Sequence, residues 1–242
     1  MERLHKVTAA VVFAFLCLHF ANHFIGLEGH DAHIQFMDAA RLVYRHPIIE
    51  LAVVLAFVLQ IITGVALARV IWRDKKDIIH QLQAASGMTL AVFLLVHFAT
   101  IAYGRMVLNL DTNFYFAAAG LMTPGWAYVF YGLYGAGIFA LFVHMGCIAY
   151  DIFKKTNKPV GYVFLVGITG LGGYATWLLL MMYSGHLYPV NLPDAYAQMF
   201  DGSRFTQSAA PGSEVDASKP EAGEPDAPKS EAPKPEVSGS EK

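Results

Sequence analysis

The sequence predicts an all-α integral membrane protein of five helices, and three observations carry that prediction. Five apolar runs, at about 7–27, 47–68, 82–103, 126–150 and 160–183, occupy most of the first 184 residues. A helix crossing a bilayer needs about 20 such residues. Charged residues make up only 15% of the chain and apolar ones 55%, with a mean hydropathy of +0.43, against roughly 25% charged in a soluble domain. The charges also cluster between the runs, and 112–150 contains no Asp, Glu, Lys or Arg. Finally, the runs do not alternate in polarity as the strands of a lipid-facing barrel do, so the helix is the economical way to satisfy the backbone in hydrocarbon.

The first run follows a basic start, Met1-Glu2-Arg3-Leu4-His5-Lys6, as a signal peptide does. Its apolar length exceeds a signal core and its end, His19-Phe20-Ala21-Asn22-His23, lacks a small-residue cleavage pattern, so it is read as a retained span. Pro47 suits the first turn of the second run, which closes near Arg69. A hydrated turn at 73–79 leads into the third run, and 106–125 is read as a loop ending in the helix-start signal Thr123-Pro124-Gly125. Asn157-Lys158-Pro159 separates the last two runs. Cys17 and Cys147 both fall inside spans and indicate no disulfide framework. Glycines at 64, 87, 132, 135, 137, 167, 170, 172 and 173 suggest close helix packing, with Gly87 also able to clear room for a flat cofactor.

Orientation follows from the basic residues. Arg3 and Lys6, then Arg69, Arg73, Lys75 and Lys76, then Lys154, Lys155 and Lys158 fall on one side of five crossings. The positive-inside rule puts that side, with the N-terminus, in the cytoplasm and the C-terminus outside. Arg41 and Arg45 weaken the asymmetry from the other side, where they sit with Glu28 and Asp31 in the longer segment between the first two runs, read as a loop. Residues 185–201 form an outer segment after the last span. From Asp201 onward nine acids face five bases in a Pro-, Ala-, Glu- and Lys-rich stretch, and 202–242 is expected to be a disordered tail. No nucleic-acid partner is expected; the partner common to every reading is the lipid bilayer.

Histidines inside the spans are the informative residues. At about 1.5 Å per residue, His19 lies about 18 Å from an inner edge at Val7, and His97 about 22 Å from Leu82. Both fall in the outer half. Two neutral imidazoles at one depth on different helices are the arrangement that clamps a b-type haem through both axial positions. His23, one turn on from His19, is its rival as a ligand or a partner for a propionate or quinone oxygen. His144 lies about 10 Å from the opposite edge, in another layer, where the second span offers Gln60 and no histidine. The alternative for each is an interhelical hydrogen bond. His30, His33, His46, His80 and His186 read as solvated or interfacial. Glu50 is the sole acid inside a predicted span; burial there would raise its pKa and make it a proton-handling candidate, the alternative being an ion pair with Arg45. Arg41 is a candidate partner for haem propionates.

Leu18-His19-Phe20-Ala21-Asn22-His23-Phe24, the pair Leu82-Gln83-Ala84-Ala85-Ser86-Gly87 and Val96-His97-Phe98, and His144 in the fourth span resemble the five-helix cytochrome b membrane anchor of succinate dehydrogenases and fumarate reductases. The resemblance covers about residues 4–184 and implies a haem-binding four-helix core within the five spans. It implies His19 or His23 with His97 as ligands of an outer haem b, and His144 as a ligand of a second, inner one. Gln60 departs from the pattern, standing where a fourth haem histidine would be. One haem b is therefore expected, with a second open. The resemblance further implies a flavoprotein subunit, an iron–sulfur subunit docked on the cytoplasmic face of a bacterial inner membrane, and a membrane quinone of the menaquinone type. Dicarboxylate chemistry would then sit in a partner subunit. This chain would be the electron-relaying or quinone-reactive subunit of an oxidoreductase complex, with Arg3, His5, Lys6, Arg73, Lys75 and Lys76 available for docking. The competing readings are a haem-free quinone-binding anchor, a cytochrome b of another membrane oxidoreductase, and a transporter lined by Gln60, Glu50, His97 and His144.

Overall fold

The structure is a computed structural model, and it describes residues 1–200. Expectations for the tail at 202–242, and for Asp201, fall outside the described residues. Five helices are long and apolar enough to cross a membrane: α1 (Glu2–Ile25), α3 (Pro47–Arg73), α4 (Ile78–Met106), α6 (Ala127–Phe153) and α7 (Lys158–Tyr183). Most start earlier or end later than the apolar runs, because a helix continues into polar residues once its backbone hydrogen bonds are propagating. The chain is an all-α, multi-pass membrane protein. Large apolar side chains stay exposed along these helices, Leu95 at 60%, Val163 at 69% and Leu171 at 62% among them, as lipid-facing surfaces require.

Three shorter helices lie between and after the spans: α2 (His30–Tyr44), α5 (Phe114–Met122) and α8 (Asp194–Ala197). The first two correct the reading of their segments as loops. α2 is amphipathic: His33, Met37 and Ala40, spaced i, i+4, i+7, are its buried residues. Its charged face of Asp31, Asp38 and Arg41 disguised it. α5 is capped by Asn113, whose side chain accepts from the Tyr115 N–H at 3.0 Å. It is among the most enclosed parts of the molecule, with Phe114, Ala118 and Ala119 fully buried. Nine residues cannot span a bilayer; α5 instead plugs one end of the bundle, where its Phe114, Ala118 and Leu121 pack with Phe130, Leu179, Met182 and Tyr183. Tyr196 and Met199, after α7, close over Phe116 and Ala119.

The spans pack in the order α1 on α3, α3 on α4, α4 on α6 and α6 on α7. α1 makes little direct backbone contact with α6 or α7, and the interior between them is filled by side chains such as Phe20 against Phe142, ring centres 5.9 Å apart. α4 starts at Asp77, whose carboxylate accepts from the N–H groups of Ile79 and His80 at 3.1 and 3.3 Å. The glycines divide into two kinds. A Cβ at Gly137 or Gly172 would run into the side chains of Phe93 and Phe142, whereas Gly132, Gly167 and Gly170 have nothing within 4 Å.

Candidate functional site

Two polar layers cross the bundle interior. The first lies towards the end carrying α2 and α5. There His19 of α1 and His97 of α4 face each other with ring centres 6.3 Å apart. Each ring stacks on the phenylalanine one turn before it, Phe15 on His19 at 5.5 Å and Phe93 on His97 at 5.3 Å. The i, i+4 spacing of the helix makes both stacks local. A metal–imidazole bond is about 2.0 Å and the ring centre lies about 1.1 Å behind the nitrogen, so two imidazoles gripping one iron have centres about 6.2 Å apart. The distance between the His19 and His97 ring centres matches that value.

His19 has a second attachment. Its Nε2 lies 3.0 Å from Nε2 of His23, and His23 Nδ1 lies 2.6 Å from the Tyr183 hydroxyl. That hydroxyl continues to His33 Nε2 at 3.0 Å, where the Asn22 amide nitrogen also donates at 3.0 Å. Ligation of iron through His19 Nε2 therefore requires its ring to turn away from His23. The ring nitrogens of His97 make no hydrogen bond among the described residues.

His33 corrects the expectation that it is solvated: it is 3% exposed, and burial, then the charge of Arg41, hold its pKa down at about 4 against an ordinary 6.5. The folded chain thus binds this proton only near pH 4, while the unfolded chain binds it near 6.5. Stability from this group is complete above pH 6.5 and falls as the pH drops to 4, by about 3 kcal/mol. Thermal unfolding of the wild type should show that decline, and His33→Gln should flatten it. An equally steep decline in the variant would remove His33 as its source.

The second layer lies nearer the N-terminal end. His144 of α6 donates from Nδ1 to the Gln83 carbonyl at 3.0 Å, with Ser86 Oγ at 3.3 Å. A backbone carbonyl on Nδ1 is the orienting contact that metal-bound histidines use, and it leaves Nε2 free. Gly87 makes room for the His144 ring itself, since a Cβ there would stand 3.2 Å from Cε1; the flat group it accommodates is an imidazole. Gln60 is fully engaged, accepting from Thr8 at 2.6 Å and donating to His5 Nε2 at 3.1 Å, while His5 Nδ1 meets Thr63 Oγ1 at 2.8 Å. His5, assigned by sequence to a docking face, belongs to this interior layer and lies within electrostatic reach of His144. Its signal was present in the spacing: α1 begins at Glu2, so His5 and Thr8 sit on one face, one turn apart.

Arg41 and Glu50 stand apart from both layers. Arg41 forks onto Asp111 at 2.8 and 3.1 Å, tying α2 to the approach of α5, and the Asp111 hydrogen bond helps raise its pKa against the opposing effect of burial. Glu50 is not buried. Its side chain is 42% exposed and pairs with Arg105 at 3.4 Å, not with Arg45, which lies 4.0 Å from Asp111. Among the described residues no three His, Cys, Asp or Glu side chains converge on a point as a bare metal-ion cage does; a haem asks only for two axial donors.

Fold and site together define a class: a helical multi-pass membrane protein with two histidine-bearing polar layers in its interior. The chain matches no protein-family model, no curated protein and no solved structure.

Proposed function

We propose that this chain is the cytochrome b membrane anchor of a succinate dehydrogenase or fumarate reductase complex, passing electrons between an iron–sulfur subunit and a membrane quinone of the menaquinone type. The observation that carries the reading is the pair His19 and His97, on different helices, with ring centres 6.3 Å apart. The motif resemblance over about residues 4–184 supplies the complex and its flavoprotein subunit. The resemblance points to a bacterial cytoplasmic membrane, and the basic loops support an N-terminus inside and a C-terminus outside.

In this reading His97 and His19 would hold the haem, His19 with its Nε2 released from His23. Haem supplies one-electron transfer. Phe15 and Phe93 stiffen the two ligand rings, and the apolar helices around them exclude water. The inner layer favours a single haem: His144 has a free Nε2, but the Gln60 side chain opposite is consumed by Thr8 and His5.

A haem-free quinone-binding anchor is the second reading, carried by the His19–His23 hydrogen bond, which satisfies both rings without iron. Haem per polypeptide in the purified full-length protein separates the two. One haem b per chain is the expected result, two would show that the inner layer is also a ligand site, and none would leave the second reading standing.

A further inference from the structure

At the N-terminal end of the bundle, the start of α4 and the turn joining α6 to α7 enclose a cleft of about 540 Å³ that neither histidine layer uses. Its lining combines the charged side chains Lys154, Lys155, Lys158 and Asp77 with Ile78 and the rings of Tyr150 and Tyr162. The two tyrosine rings meet at 4.9 Å, and the Lys154 ammonium stands 5.1 Å from the Tyr150 ring centre.

The charges do not balance locally. Asp77 is spent on the α4 cap and on His80 Nδ1 at 2.7 Å, and Asp151 is paired with Lys154. Lys155 and Lys158 have no carboxylate partner among the described residues. α7 begins at this cleft without a side-chain cap from Asn157 and without an acid in its first turn, so its positive end adds to the same field.

Below the cleft the surface turns apolar: Phe153 and Phe164 stack at 3.8 Å, each 37% exposed, and Val163 and Val166 are each 69% exposed. A positive, tyrosine-walled pocket continuous with a lipid-facing stripe has the chemistry of a phosphate head with apolar tails. We propose that this cleft binds the phosphate of an anionic phospholipid, with Lys155 and Lys158 on the headgroup and the Tyr150–Tyr162 pair at the level of its glycerol. A soluble protein partner would have no use for the apolar stripe, which runs down the side of the bundle. The proposal is independent of haem.

Native mass spectrometry of the full-length protein, extracted from vesicles of phosphatidylcholine and phosphatidylglycerol, tests it. The wild type should retain phosphatidylglycerol preferentially, and Lys155→Ala with Lys158→Ala should lose that preference by roughly tenfold or more. The double arginine variant should keep it, as should a Lys75→Ala, Lys76→Ala variant of the neighbouring basic loop; circular dichroism checks that each is folded. Inorganic phosphate, added alone, should displace the lipid only weakly. Equal retention of the two lipids, equal loss in the Lys75–Lys76 variant, or phosphate binding as tight as that of the lipid would each overturn the proposal. So would a lysine variant that keeps its lipid but no longer co-purifies with a soluble subunit, since the surface would then be a protein interface.

Discussion

On the proposed reading, His97→Ala removes essentially all haem absorbance and leaves the five spans inserted. His97 is the ligand candidate with both ring nitrogens free, and the neighbouring rings offer no substitute: His19 and His23 already face each other from one helix. Going from two donors to one is not a graded effect, because a haem left to His19 alone would lose its second anchor and the ring that Phe93 stiffens. His144→Ala should retain the haem. The helix α1 pair then sorts itself. If His19 is the ligand, His19→Ala removes haem, and His23→Ala, which only frees the His19 nitrogen that would bind iron, keeps it. The reverse order would assign the iron to His23. A His97→Ala protein with its full complement of haem would end the case for the outer site altogether.

Gly172→Ala should be among the most damaging single-methyl changes in the chain. The added Cβ would overlap the Cγ of Phe142 and also its Cβ, which the α6 backbone fixes and no rotamer change moves aside. α6 and α7 must separate along their contact, at a cost of about 3 kcal/mol, the upper end for overpacking. Gly170→Ala, two residues away with nothing within 4 Å, should be neutral or stabilising by up to about 1 kcal/mol from helix propensity. Thermal unfolding of the two variants in one detergent checks the contrast. Equal stability would mean that the helices are not in contact where the structure puts them. Both glycines lie in one apolar run, Thr169-Gly170-Leu171-Gly172-Gly173, and it is the packing that distinguishes them.

The spans themselves were legible because hydropathy is a property of consecutive residues. The run from Trp126 to Tyr150 needs no tertiary information to be recognised as a helix in lipid. The depth of His19 and His97 was legible for the same reason, since a fixed rise per residue turns position into height. Height alone does not give azimuth. That His19 turns towards His97 and also bonds His23, that His5 joins Gln60 inside the bundle, and that Glu50 stays half in solvent beside Arg105 all depend on how the helices rotate against one another.

α2 and α5 were missed for opposite reasons. α2 carries enough charge to resemble a loop, and its apolar stripe of Met37 and Ala40 has meaning only when something covers it. α5 is apolar but too short to cross, and its burial comes from α6, α7 and Tyr196, far away in the chain. His33 follows from both: it is a surface residue by its neighbours in sequence and a buried one because α5 and Tyr183 enclose it. Sequence alone thus determined that this chain enters a membrane five times as helix, because bilayer thickness and backbone hydrogen bonding act on each segment separately. Only the tertiary structure decided which polar side chains meet, because burial and hydrogen bonding between helices belong to pairs of segments, and no single stretch of residues contains its partner.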